Sequence, residues 1–337
     1  MFLILGMAYI LIKYLFITFV FLLGLFVALL LGLRLWIEPI KGVCKSKAKL
    51  HGKTALVTGG NCGIGLETAR DLARRGARVI IASRDEKKSM EAVEEIIKTT
   101  GNNKVEFLQL DLAKFRSVRK FAEDFNRKYD RLDILVNNAG CAGLKRRPTE
   151  DGIEVVMQVN YFGPLLLTNL LLDKFMASES SRIVIVSSFM HKYGKVTADN
   201  INGLTTNHYL QRYCNSKLCD VMWTKALAKR LPSNVTVNCL HPGAVNTEIF
   251  KRFKPWMKNL IKIVLAVFFK SAEEGAQTTL HLCVSEELEN VSGLYFTDCK
   301  ACDVGDVAKN DDLVEEIWKK SLLMTDSLDS VINKDKL

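Results

Sequence analysis

The chain has 337 residues, 48% hydrophobic and 25% charged, with a net charge of +10 at pH 7. That length suits one large domain with appendages, and neither an internal repeat nor a low-complexity segment divides it. The basic excess includes no compact basic run with interleaved aromatics, which argues against nucleic acid as partner; anionic headgroups at a membrane surface are the plainer attractor.

The N-terminus carries the most uneven feature. Met1 to Ile12 and Tyr14 to Leu33 contain no charged residue. A run of about 20 apolar residues spans a hydrocarbon core of ~30 Å as one helix. A cleaved signal peptide fits poorly, because MFLILGMAYI has no basic n-region and no A-x-A-like site follows the apolar run. Residues 1–37 are therefore expected to be an uncleaved anchor and 38–49 a basic linker. Only Lys13 and the amine flank the run on one side, against Arg34, Lys41, Lys45, Lys47 and Lys49 on the other. Positive charge stays cytoplasmic, so the body is expected in the cytosol. The 9 cysteines, an odd number spread along the chain, fit reduced thiols.

Beyond the linker, short apolar runs alternate with amphipathic patterns. TALVT (54–58), RVIIAS (78–83), VEFLQLDL (105–112), LDILVNNAG (132–140), RIVIVSS (182–188), VTVNCLHPG (235–243) and GLYFTD (293–298) read as strands. Helical patterns lie at 64–77, 86–100, 115–129, 154–176 and 208–231. Nearly continuous apolar strands alternating with helices imply βαβ units around a parallel sheet covered on both faces. The expected fold class is α/β, a Rossmann-type doubly wound parallel sheet of about seven strands, spanning 50–300 with a helical extension over 301–337.

TGGNCGIG (58–65) joins the first strand to the first helix of that sheet. Gly59, Gly63 and Gly65 allow a tight turn and a close approach of backbone to a pyrophosphate, with Asn61 and Ile64 alongside. The helix N-terminus offers N–H groups and positive dipole to the phosphates. A dinucleotide-binding acid is absent from the end of the second strand, where Ser83 and Arg84 stand. An arginine there pairs with a ribose 2′-phosphate, which predicts NADP(H) as the cofactor. Asp85 either caps the next helix or binds the ribose.

Tyr213 and Lys217 are four residues apart on the helix of 208–231 and share a face. An ammonium beside a phenol favours the phenolate, which lets the hydroxyl exchange a proton with a carbonyl oxygen near neutral pH. The pair follows the fifth strand, whose C-terminal end carries Ser187 and Ser188, and ligands of open α/β sheets bind at such ends.

With these motifs in order, together with Asp111, NNAG (137–140), Asn160 and PGAVNT (242–247), the sequence resembles the short-chain dehydrogenase/reductase family from Lys49 to Thr297. The resemblance implies a catalytic tetrad of Asn160, Ser188, Tyr213 and Lys217. Tyr213 would be the general acid/base and Lys217 would hold the ribose and activate the tyrosine. Ser188, the second of its pair, would bind the substrate oxygen, and Asn160 would support a proton path. It also implies cofactor contacts from Asp111, Leu112, Asn138, Ala139, Gly140, Pro242, Gly243, Val245 and Thr247. His191 and His241 fall in expected loops and match no family role. The long Ser188–Tyr213 spacing and the stretches 208–231, 273–282 and 292–300 resemble the retinol dehydrogenase branch, membrane-bound enzymes that prefer NADPH and reduce lipophilic aldehydes. Residues 250–270, rich in aromatics, aliphatics and lysines, read either as an apolar lid at the bilayer or as an ordinary core helix.

The expected function is thus an NADP(H)-dependent oxidoreductase at the endoplasmic reticulum membrane, interconverting a lipophilic alcohol and its carbonyl, with retinal as the expected substrate. A steroid or fatty-alcohol dehydrogenase and a non-catalytic cofactor-binding scaffold are the alternatives. The expected partners are that substrate, the membrane and, as a compatible assembly, a homodimer.

Overall fold

The computed structural model describes residues 2–37, 41–245 and 269–327. Thr247 and nearly all of the expected lid lie outside these residues. The N-terminal helix and the body from Gly42 onward are separate compact units.

Helix α1 (Phe2–Ile37) contains a segment, Tyr9–Leu29, long and apolar enough to cross a bilayer. Every side chain from Tyr9 to Leu29 is exposed. An apolar helix of this length with no buried face suits lipid better than water.

The body is built on one sheet in the order β3-β2-β1-β4-β5-β6-β7-β8. Its strands are β1 (Thr54–Thr58), β2 (Arg78–Ser83), β3 (Val105–Gln109), β4 (Ile134–Asn137), β5 (Ser181–Val186), β6 (Val235–His241), β7 (Tyr295–Thr297) and β8 (Lys300–Cys302). All neighbours run parallel except β7 and β8. The order reverses between β1 and β4, and such a switch point opens the crevice where doubly wound sheets bind ligands.

The eighth strand is an addition to the seven expected. Its three residues are exposed, so they carry none of the apolar pattern that marks the other strands. Asp298 and Cys299, at φ 49° and 59°, form the two-residue turn before it, the left-handed pair that matches hairpin twist. Cys299 is the second residue of this turn and Cys302 the last of β8, a C-x-x-C spacing.

Two cores cover the two sheet faces. One packs α2 (Gly63–Arg74), α3 (Glu86–Thr100) and α9 (Ala272–Val284) through Leu72, Ile96 and Leu280. The other packs α4 (Phe115–Lys128), α6 (Gly163–Leu170), α8 (Tyr209–Ala228) and α10 (Asp311–Met324) through Phe121, Leu165, Leu218 and Trp318. Helix α10 is fixed there by a hydrogen bond of 2.7 Å between Tyr161 Oη and Ser321 Oγ. The basic linker is strapped to the body as well: Cys44 N donates to Gln277 Oε1 at 3.1 Å, and Arg75 donates to the carbonyls of Ser46 and Ala48.

The long helix expected over 154–176 is broken. Its pieces are α5 (Val155–Met157), a π-helical turn (Gln158–Phe162), α6 and α7 (Leu172–Met176). Pro164 has no N–H to give to the carbonyl of Asn160, so the α-helical ladder slips where the proline enters. Asn160 sits in the widened turn, and such π-bulges concentrate at functional sites.

Candidate active site

The glycine turn connects β1 to α2 at the switch point. Gly59 and Gly63 have φ of 65° and 56°, a region that side chains disfavour. A Cβ on Gly65 would lie 2.3 Å from the Gly59 carbonyl oxygen, so nothing larger than glycine lets α2 begin this close to β1. A Cβ on Gly63 would meet nothing within 4 Å, which leaves open space at the mouth of the turn. Cys62 occupies the N-cap of α2, and its side chain makes no capping bond to the first-turn N–H groups. An open turn, an N-cap residue that makes no capping bond and a close strand fit a dinucleotide pyrophosphate.

The second strand of the crevice closes on this turn. Asn138 Nδ2 donates to the Thr58 carbonyl at 2.9 Å, while Thr58 Oγ1 accepts from the N–H groups of Asn138 and Ala139 at 3.0 Å each. Asn138 therefore bonds β4 to the glycine turn. Asn137 points to the other side, donating to Thr168 Oγ1 at 3.0 Å.

At the end of β2, Asp85 accepts from Lys88 N at 3.1 Å and caps α3, so its carboxylate serves the helix. Ser83 is half-buried against Ser89. Arg84 is exposed and forms no ion pair among the described residues. Asp111 is engaged in the turn before α4, accepting from Ala113 N at 3.1 Å. Leu112 is buried, and its carbonyl would lie 2.6 Å from a Cβ on Gly163.

The expected catalytic residues meet at the C-terminal ends of β4 and β5. Ser187 Oγ donates to the Lys217 carbonyl at 2.8 Å, which commits it to the backbone of α8. Ser188 Oγ accepts from Met190 N at 3.2 Å, and its own O–H makes no bond among the described residues. Chemistry alone left the two serines open; their bonds separate them. Asn160 exchanges bonds with the Cys141 backbone, at 2.7 Å and 3.0 Å, and donates to Ser216 Oγ at 3.0 Å. It thereby ties the exit of β4 to α8. Lys217 Nζ lies 6.0 Å from the Tyr213 ring centroid and donates to the Val186 carbonyl at 2.8 Å. A Cβ on Gly140 would come within 4.0 Å of that ammonium, so glycine keeps the approach to it open.

Sequence reasoning missed several supports. His191, expected in a loop, is buried in a 3₁₀ turn (Phe189–Tyr193), its Nδ1 2.8 Å from the Ser188 carbonyl and its Nε2 accepting from Gly305 N at 3.1 Å. Arg212 pairs with Glu154 at 3.1 Å deep in the protein and donates to the carbonyls of Thr206, Asn207 and Leu144. Asp220, one turn beyond Lys217, accepts from its ammonium at 2.8 Å. None of these has a local motif, because their partners are distant in sequence or fall at an ordinary helical spacing.

Pro242, Gly243 and Val245 follow β6. Gly243 has φ 89°, and Val245 bridges to Lys270. His241, the last residue of β6, is depressed to about 4 by burial and by Lys270 nearby. The unfolded chain therefore binds a proton near 6.5 that the folded chain refuses until about 4. Stability is intact above 6.5 and falls as pH drops through that window, by roughly 2 kcal/mol from this group. Thermal melting from pH 7.5 to 4.5 should show this loss, and His241→Gln should remove its share.

A glycine cradle at the switch point of a parallel sheet, with a tyrosine–lysine helix and a serine opposite, defines an oxidoreductase that uses a nicotinamide dinucleotide. A model of the family described as short chain dehydrogenase matches residues 53–258. The chain belongs to that family. It is 43% identical to mouse retinol dehydrogenase 11 over 83% of its length and 88% of the relative's. It is 42% identical to human retinol dehydrogenase 13, over 83% and 86%. Among solved structures, a protein of undescribed function from Mycobacterium paratuberculosis aligns with TM-score 0.69 and 28% identity over 85% of this chain and 98% of that one. A short chain dehydrogenase from Escherichia coli CFT073 complexed with NADPH aligns with TM-score 0.59 and 25% identity over 75% and 99%.

Proposed function

We propose that the chain is a membrane-anchored, NADP(H)-dependent reductase of lipophilic carbonyls, with retinal and retinol as the substrate pair. The observation that carries the reading is the placement of these side chains at the strand ends beside the glycine cradle: Lys217 lies 6.0 Å from the Tyr213 ring centroid and bonds the Val186 carbonyl just before Ser187 and Ser188, and Asn160 is tied to α8 through Ser216. A nicotinamide bound in that cradle supplies the hydride. Ser188, whose O–H is uncommitted, orients the carbonyl oxygen by a hydrogen bond. Tyr213 gives that oxygen its proton, and the Lys217 charge favours the phenolate left behind. Asn160 holds the β4 exit and α8 in register, and carries the proton path.

The lipophilic substrate is supported by exposed apolar side chains beside these residues: Phe189 and Tyr193 after Ser188, and Tyr209 and Leu210 before Tyr213. The retinol dehydrogenase names of the relatives narrow the class to a retinoid. Asp111, Leu112, Ala139, Pro242, Val245 and Thr247 are assigned to the cofactor's rim. The anchor, the cytosolic body and the endoplasmic reticulum rest on the flanking charges and the apolar helix.

NADP(H) over NAD(H) rests on Arg84, since Asp85 is occupied as a helix cap. Arg84→Ala should raise the KM for NADPH roughly 10–100-fold, the scale of a charged hydrogen bond, and leave NADH nearly unchanged. The test uses microsomes containing the full chain, with retinal and either cofactor. NADPH-dependent retinol formation supports the reading; turnover of steroid or fatty substrates without retinal overturns the retinoid assignment.

A further inference from the structure

Asp220 is buried on α8, 1% exposed, in a position where packing alone asks for an apolar residue. Its Oδ2 accepts from Lys217 Nζ at 2.8 Å. Its Oδ1 has no hydrogen-bond partner among the described residues. Lys217 is thus the one cation it meets there, and a buried pair of this kind seldom improves on apolar packing for stability.

We propose that Asp220 is a positioning residue for proton transfer: it offsets the Lys217 charge as felt at Tyr213, and so sets the pH at which the Tyr213 hydroxyl ionises. The inference deepens the proposed reaction and rests on Tyr213 being its acid/base. An ammonium alone, 6.0 Å from the ring centroid, would act on the phenol as a full charge in a partly desolvated site. A carboxylate in contact with it makes the pair a dipole, whose field falls off faster with distance. The ammonium stays protonated: burial opposes its charge most strongly, but Asp220, Tyr213 and Cys141 together leave the net shift upward.

The titratable groups that face this pair come from four elements. Tyr213 and Cys219 lie on α8, Tyr161 on the π-helical turn, Cys239 on β6, and Cys141 in the segment after β4, while Tyr295 on β7 faces Tyr213 itself and is held neutral by burial. Burial pushes Cys141 up to about 11 and Cys239 to about 12, and lifts Tyr161 and Cys219 well above their ordinary values. All four stay neutral near pH 7. Burial also lifts Asp220 itself to about 6, so at neutral pH it remains the anion of the group.

Asp220→Asn keeps the shape and removes the charge. The direct readout is a near-ultraviolet difference titration of the phenol in the full chain, each protein measured against its Tyr213→Phe counterpart. The Asn variant should ionise at Tyr213 about one pH unit lower, roughly tenfold more phenolate at a given pH. The acid limb of alcohol oxidation should move the same way. A midpoint that is unchanged or higher overturns the proposal and leaves Asp220 a packing residue. Asp220→Leu carries the same test if the Asn variant does not fold. The titration requires no turnover, so a chain that reduced no carbonyl would sink the enzymatic reading and still leave this measurement decisive.

Discussion

Tyr213→Phe is expected to lower kcat for carbonyl reduction by about 10²–10⁴-fold while leaving NADPH binding nearly intact. The substitution removes one oxygen and no packing, since the phenyl ring keeps the position of the phenol on α8. Lys217 keeps its bonds to Val186 and Asp220 in the variant. A uniform loss of cofactor binding would mean that the hydroxyl serves affinity rather than proton transfer. Single-turnover kinetics with NADPH fluorescence as the binding readout separates the two, because a group acting only in the transition state moves kcat and not the dissociation constant.

Glu154→Gln is expected to destabilise the body by about 3 kcal/mol or more. Glu154 is fully buried, and so is its partner Arg212. Neutralising the carboxylate leaves a guanidinium in the core with only carbonyls around it. The same carboxylate caps α5 through Val156 N at 2.8 Å and Met157 N at 3.3 Å, a role the amide oxygen of glutamine keeps, so the loss in this variant falls on the Arg212 pair. Arg212 precedes Tyr213, so the loss reaches the site. Chemical denaturation measures it; a change below about 1 kcal/mol would mean that the three carbonyl bonds of Arg212 suffice.

Much of the fold was legible because its signals are local. TALVT, RVIIAS and the helix of 86–100 keep their expected bounds, since apolar runs, Asp85 at the cap and Gly101 past the end each mark a boundary by residue type. The glycine turn, the tyrosine–lysine spacing and Ser188 are likewise short-range patterns. What stayed hidden is long-range. Glu154 and Arg212 meet only after the sheet forms, and His191 gains its meaning from Gly305 far along the chain. The break at Asn160 was readable in principle from Pro164, but the apolar periodicity on either side masked it. The strand at Lys300–Cys302 is exposed and three residues long, so no periodicity could show it.

The central claim, hydride transfer to a retinoid carbonyl with Tyr213 as proton donor, is tested most directly by isotope transfer. Microsomes containing the full chain would be given retinal and NADPH deuterated at the transferable position of its nicotinamide, and the retinol analysed by mass spectrometry. Retinol carrying one deuterium on the carbinol carbon, at a rate that collapses in Tyr213→Phe, is the predicted result. Unlabelled retinol, no retinol, or an undiminished rate in Tyr213→Phe would contradict it.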